Sequence, residues 1–395
     1  MSQRFEANVF QSGTADYVGM GTHYLVQTVG GVLYVIGINA DVDVYFVKST
    51  DGGLTWSTKV AVASGITATQ LAIWYDRWSG IAAGKIHVVW SESAADDISY
   101  NSIDTENSDA LSGVVVVFAG GSTASGGSLS ITRARGGNLV VAGSIDAGAE
   151  DGAWKSTDAG ATWAAAIADP SEAATTDQYL LAPGWNADNQ DVMLYFWDAS
   201  ANEISVKRYD DSANTWTETS IATSMVELAS STGFPNFAVA VDLANSRNVL
   251  IAWTQADLAN ADLRCWTITD AAITEVTNVV LNSTDDQGLA ALAIDSVSGD
   301  WYAYYVGKSD GSETFITAVK LYCKVSTDDG TTWGSETLLS PDVAATIRSL
   351  YGTNICQSPY GAPPPVLMFT TARNTYVVNA NWPVRMRAGL DLGVM

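Results

Sequence analysis

The chain has 395 residues, 47% apolar and 10% aromatic, with a formal net charge of −24. This composition, with 16% charged residues, excludes extended disorder, and the negative charge disfavours nucleic acid, anionic membranes and anionic substrates as partners. Three cysteines without CxxC spacing (Cys265, Cys323, Cys356) exclude a disulfide framework and are expected as buried thiols, and His23 and His87 stand too far apart in sequence for a zinc motif.

No apolar stretch is long enough to cross a bilayer. The first residues, Met1 to Asn8, lack the basic-then-apolar order of a signal peptide, so the expectation is a chain without a leader. Ahead of everything else lies one isolated strand-like segment, Arg4–Gln11 (RFEANVFQ).

Seven short apolar runs follow, each bounded by turn residues, the pattern of strands buried on both faces. In chain order they are Val32–Ile38, Lys85–Trp90, Asn138–Gly143, Val192–Trp197, Val249–Trp253, Trp301–Val306 and Val366–Thr370. Equivalent positions (Leu33, Ile86, Leu139, Met193, Leu250, Tyr302, Leu367) are spaced by 53, 53, 54, 57, 52 and 65 residues. Two positions before each stands a turn-compatible residue: Gly31, Gly84, Gly137, Asp191, Asn248, Asp300 or Pro365. Partner strands lie just upstream, among them Tyr24–Val29, Leu71–Tyr75, Leu129–Arg133 and Phe237–Val241.

A hairpin unit repeating at this interval fits one four-stranded blade. The expected fold is therefore all-β: a seven-bladed β-propeller of four-stranded antiparallel blades, one domain over residues 1–384, with a short tail at 385–395. The seventh repeat has little chain left for a fourth strand. The segment within residues 1–15 is expected to supply it and close the ring, removing free sheet edges.

A second motif keeps the same phase. Ser49–Trp56 (STDGGLTW), Ser156–Trp163 (STDAGATW) and Ser326–Trp333 (STDDGTTW) share Ser-x-Asp-x-Gly-x-Thr-Trp. Ser49, Asp51, Gly53 and Trp56 are its fixed positions in the first copy; Ser156, Asp158, Gly160 and Trp163 in the second; Ser326, Asp328, Gly330 and Trp333 in the third. Tyr209–Trp216 (YDDSANTW) is a decayed copy keeping Asp211, Thr215 and Trp216. Each aspartate is expected to accept backbone hydrogen bonds and hold the turn between a blade's third and fourth strands. The glycine supplies positive φ and the tryptophan packs between sheets.

These boxes resemble those of the sialidase-like Asp-box (BNR-repeat) propellers. That superfamily spans sialidases, other glycosidases, sorting receptors, photosystem assembly factors and phage structural proteins, so the resemblance implies a fold without choosing a function. In its sialidases, three arginines hold the substrate carboxylate, a Tyr–Glu pair is the nucleophile and an Asp is the acid/base. Here the expected Arg-Ile-Pro position reads Gly21-Thr22-His23. Arg77, Arg133 and Arg135 fall at the far ends of innermost strands, and only Arg348, shortly before Tyr351, begins one. One arginine does not make a carboxylate clamp.

The loops after the seven marker strands share the face that holds a sialidase site. They carry Asp41, Asp43, Asp96 and Asp97 among other acids, against few cations such as Lys308 and Arg373. With Arg348 and Tyr351 they form the candidate ligand face. The pairs Asp41/Asp43 and Asp96/Asp97 are candidates for glycosidase carboxylates acting on a neutral glycan. Nearby tryptophans (Trp74, Trp78, Trp90, Trp185, Trp197) are expected in the core rather than stacked on sugars. Ca²⁺ is the one cofactor such acidic loops suit, but none has EF-hand spacing, and no cofactor is expected.

The leading expectation is a non-enzymatic structural or adhesion module of a phage or virus particle, virion-borne or extracellular. Its partners would be other assembly proteins in an oligomer, or a cell-surface glycan, with no nucleic acid and no membrane insertion. The tail Pro383–Met395, with two arginines in an acidic chain, suits a docking peptide. The alternative is a glycoside hydrolase on a neutral glycan.

Overall fold

The computed structural model describes residues 23 to 379. Outside it lie 76–83, 121–128, 146–149, 171–177, 186–188, 226–236, 256–260, 282–287, 307–320, 341–346, 353–365 and 372–374, together with positions 29, 40, 54, 96, 165, 169, 199–200, 243 and 296–297. Every described element is a strand or a turn, and no helix is long and apolar enough to cross a membrane.

The first blade is the meander β1 (His23–Gln27), β2 (Leu33–Ile38), β3 (Val44–Ser49) and β4 (Val60–Ala63). The second has β5 (Ala68–Tyr75), β6 (Lys85–Glu92) and β7 (Asp97–Asp104). Its outer strand is split into β8 (Ala110–Leu111) and β9 (Val115–Phe118), both on β7. The third has β10 (Leu129–Arg133), β11 (Leu139–Ile145) and β12 (Glu150–Ser156). Its outer edge is met by Ala164 and Ile167, whose N–H groups donate to Lys155 and Ala153 carbonyls at 2.9 and 3.0 Å.

The fourth is β13 (Gln178–Pro183), β14 (Val192–Asp198), β15 (Glu203–Asp210) and β16 (Thr215–Thr223). The fifth is β17 (Phe237–Asp242), β18 (Arg247–Gln255), β19 (Ala261–Ile268) and β20 (Ile273–Glu275). The sixth is β21 (Gly288–Ile294), β22 (Trp301–Val306), β23 (Leu321–Ser326) and β24 (Thr337–Ser340).

A further sheet, β25 (Ile347–Gly352), β26 (Val366–Thr371) and β27 (Thr375–Asn379), has three strands. The expectation of a seven-bladed ring is thereby corrected to a propeller of six blades. Among the described residues the first, fourth, fifth and sixth have four strands, the second a split outer strand and the third three strands. The last strand of the further sheet, β27, has no outer partner among the described residues. β27 ends at Asn379, and both the chain beyond it and the expected closing strand Arg4–Gln11 lie outside the described residues. Innermost strands neighbour one another in sequence order, and β25 lies beside β21 on one side and β1 on the other.

All seven apolar runs are second strands, flanked on both sides by partners. In β2, β14 and β22 nearly every residue is buried, as expected for a strand sandwiched between blades. Trp74, Trp90, Trp253, Trp266 and Trp301 fill the inter-blade layers, each burial worth about 1.5–3 kcal/mol relative to exposure. The turn residues act as expected at Gly31 (φ +82°) and Gly137 (φ +112°).

The outer strands share one device. Pairing with the third strand slips by a residue at Val44/Tyr45, Ile98/Ser99, Ile204/Ser205 and Leu321/Tyr322. The residue skipped on the outer strand is Val62, Val117, Ile221 or Leu339. Val62, Val117 and Leu339 are buried and Ile221 partly so. Such a bulge re-aims a side chain without lengthening the partner strand, so each otherwise exposed outer strand sends one apolar group into the core.

Candidate ligand-binding face

The up-and-down order of each blade sorts its connections. Loops joining second to third strands, and those joining one blade to the next, lie at one end of the ring, the loop face. First-to-second hairpins and the Asp boxes lie at the opposite end, the box face.

At the box face, the three intact boxes are alike. Ser49 Oγ donates to Asp51 Oδ1 at 2.7 Å and accepts the Gly53 N–H at 2.8 Å. Asp51 accepts the Thr55 N–H at 2.9 Å and its hydroxyl at 2.6 Å. The same set recurs for Ser156, Asp158, Gly160 and Thr162, and for Ser326, Asp328, Gly330 and Thr332. The glycines have φ of +96°, +90° and +79°. Hydrogen bonds from the Thr162 hydroxyl and N–H, then Ser156, hold the Asp158 carboxyl down at about 2, and Asp328 is lowered in the same way. Trp163 packs edge-on to Tyr100 of the preceding blade at 5.3 Å, while Trp333 packs on Trp301 of its own blade at 6.5 Å.

The decayed copy is built differently. Strands β15 and β16 pair directly through Tyr209↔Trp216 and Asp210↔Thr215. The turn is held by Asp210, whose Oδ1 accepts from the Ser212 hydroxyl at 2.6 Å and from the Ser212 and Ala213 N–H groups. Asp211, the residue matching the motif by spacing, instead meets Lys155 Nζ at 2.7 Å. Trp216 keeps its packing role, on Tyr209, and donates Nε1–H to the Ala168 carbonyl at 2.7 Å.

That ion pair belongs to a series that motif reading missed. Lys48 of the first blade pairs with Asp109 of the second, and Lys155 of the third with Asp211 of the fourth. Arg208 of the fourth meets Asp270 of the fifth at 2.7 Å, and Arg247 of the fifth meets Asp329 of the sixth at 2.6 Å. The sequence carries a signal for three of them. Lys48, Lys155 and Arg208 each immediately precede the first position of a box or its decayed copy. The box face is thus committed to clasping neighbouring blades.

At the loop face two of the four candidate carboxylates, Asp43 and Asp97, accept backbone N–H groups. Asp43 Oδ1 accepts the Gly65 N–H at 2.7 Å, and Asp97 Oδ1 accepts the Gly120 N–H at 3.1 Å. Both residues stand at the start of a third strand, and both glycines have positive φ (+73° and +81°) just past the outer strand. Each bond ties a loop to the exit of its own blade. Asp41 is exposed; Asp96 lies outside the described residues. Of the pair Asp41 and Asp43, Asp43 is tied to Gly65 through Oδ1.

Arg348 and Tyr351 both lie in β25, Arg348 at a register slip between Ile347 and Ser349; their side chains are outside the description. Arg133 and Arg135 sit at the box end as expected. Arg133 Nε donates to the Gly137 carbonyl at 2.9 Å, and Arg135 donates to that of Trp185. Arg77 is outside the described residues. Trp74, Trp90 and Trp197 are buried, Trp185 partly so, and Trp78 is outside the description. Cys265 and Cys323 are buried, and burial raises both thiols well above their ordinary range; Cys356 is undescribed. Among the described residues no group of three or more His, Cys, Asp or Glu side chains is arranged to hold a metal ion.

No protein-family model matches the chain, and no curated protein matches it. Solved structures do. An ulvan lyase described as a new polysaccharide lyase family, PL25, aligns over 94% of this chain and 96% of its own, with TM-score 0.55 and 10% identity. The same lyase bound to -[GlcA(1-4)Rha3S]- aligns over the same shares with TM-score 0.54 and 10% identity. The NanB sialidase from Streptococcus pneumoniae aligns over 96% of this chain and 70% of its own, with TM-score 0.47 and 11% identity. The likeness at these identities is one of fold: an all-β propeller of four-stranded antiparallel blades.

Proposed function

We propose that the chain is a non-enzymatic binding propeller that presents its loop face to a neutral glycan or a neighbouring subunit, as a structural or receptor-binding component of a virus or phage particle. The observation that carries this reading is the engagement of Asp43 and Asp97 with Gly65 and Gly120. Two of the four acids that made a hydrolase conceivable are parts of the frame. Connection lengths add support. Residues 224–236, 276–287 and 307–320 join strands at the loop face, and long connections on a rigid scaffold are where binding residues concentrate. A net charge of −24 steers the choice of ligand toward neutral sugars or basic protein surfaces.

No cofactor is involved, and the setting is virion-borne or extracellular. The test is a glycan array probed with the full chain, alongside mass spectrometry of purified particles from the source. The reading expects retention on neutral glycans or stoichiometric presence in particles; absence from both overturns it.

A second reading, a glycan-cleaving enzyme, draws on the alignment with the ulvan lyase over nearly the full length of both chains. It predicts product release from a polysaccharide panel, which the first reading excludes.

A further inference from the structure

The exposed large apolar side chains are unevenly placed. Of the six among the described residues (Val60, Leu111, Val114, Val116, Leu281, Leu338), three fall within six positions at the outer edge of the second blade. Val114 and Val116 are 54% and 47% exposed. The segment Ala110–Gly120 (ALSGVVVVFAG) contains no charged residue, in a chain with 43 acidic and 19 basic ones.

This edge differs from its counterparts. β16 carries Glu218 and a row of exposed threonines, β20 carries Glu275 paired to Arg264, and β24 is preceded by Glu336. Charged groups of that kind protect a strand edge from foreign pairing. β9 pairs with β7 on one side, and no described strand pairs its other side. Its flanking acids are engaged: Asp109 with Lys48 and the Tyr34 hydroxyl, Asp97 with the Gly120 N–H.

We infer that β9 is a self-association edge, on which a second copy of this chain adds its own β9 antiparallel across a two-fold axis. Antiparallel edge pairing is self-complementary, as an isologous interface requires. The charge pattern selects the occupant. Two copies of so acidic a protein repel wherever their surfaces carry that charge, and the neutral, valine-rich edge is where they approach without placing like charges in contact. At physiological salt the remaining repulsion is screened beyond about 8 Å. The dimer therefore strengthens as salt is raised, opposite to an interface made of ion pairs.

The test is sedimentation equilibrium of the full chain across protein concentration and at two salt concentrations. Expected are a species of twice the chain mass, favoured by salt, and its loss in Val114→Lys/Val116→Lys with thermal unfolding unchanged. Val60→Lys, on the first blade's outer strand, leaves it intact. A Val116→Cys variant forms an inter-chain disulfide on mild oxidation. The inference is overturned by a parent that stays monomeric, by a dimer that survives Val114→Lys/Val116→Lys, or by a Val116→Cys dimer that does not crosslink. So does a monomer that binds an added VVVVF strand peptide overturn it, by assigning the edge to a foreign strand.

Discussion

Gly160 forms the seat for Tyr100: a Cβ at Gly160 would stand 2.3 Å from the Tyr100 ring, which belongs to the preceding blade. The Tyr100 hydroxyl lies 2.7 Å from His87 Nδ1 and 3.3 Å from the Ala159 carbonyl. The Asp box of the third blade is therefore both a turn and the wall against which the second blade packs. Gly160→Ala is expected to cost about 2–4 kcal/mol, summing a left-handed φ with overpacking. Gly52→Ala, at φ +74° with nothing within 4 Å, should cost only about 1 kcal/mol. Urea unfolding of the two variants checks the contrast.

His87 gives the fold an acid limit. Burial, with Lys85 adding to it, lowers its pKa from 6.5 to about 3. Below the unfolded value of 6.5 the unfolded chain takes up a proton that the native state refuses. Stability is thus unaffected above that pH and falls as pH drops toward 3, by up to about 1.4 kcal/mol per pH unit. The lowered carboxyls of Asp158 and Asp328 withdraw their own contribution only below their unfolded value of about 3.8. Between about pH 6 and 4, His87→Gln should unfold with a flatter pH dependence than the parent, measured by chemical denaturation.

Arg247 joins three things at once. It meets Asp242 at 2.8 Å and Asp329 at 2.6 Å, and its guanidinium lies 5.0 Å from the Trp301 ring centre. Arg247→Ala should cost about 2–3 kcal/mol, and Arg247→Lys should recover little, because an ammonium neither forks nor stacks in the same way. The single-contact Lys155–Asp211 pair should show a coupling of about 0.5–1 kcal/mol in a double-mutant cycle, shrinking with salt.

The decayed box separates spacing from function. Asp210→Ala removes three hydrogen bonds that hold the turn and should lower the melting temperature. Asp211→Ala leaves the turn and should match the effect of Lys155→Met. Thermal melts of the three variants decide between them.

The strands were legible because a doubly buried second strand is a continuous apolar run, and seven of those recur in phase. The Asp boxes were legible because their chemistry is local: Ser49, Asp51, Gly53 and Thr55 bond to one another within seven residues. What sequence could not show was distance between segments. Asp43 and Gly65 are 22 positions apart, and Asp97 and Gly120 are 23 apart; only the fold reveals that each carboxylate has a partner. Asp211 was misassigned for a related reason. A direct hairpin moves the turn-holding carboxylate back one residue, and spacing alone cannot tell the two turns apart. The blade count was not legible because a second strand reads as an apolar run whether or not its sheet is completed, as at β26, whose sheet has three strands among the described residues.

Turnover on glycans is the most direct test of the central claim, that the loop-face acids serve the frame rather than chemistry. The parent, Asp43→Asn and Asp97→Asn are incubated with neutral and uronate-containing polysaccharides, and new reducing or unsaturated chain ends are counted. The account predicts no product from any of the three, and a loss of about 1 kcal/mol in stability for each variant. Product from the parent, abolished by Asp43→Asn or Asp97→Asn while the fold and its stability are unchanged, would contradict it.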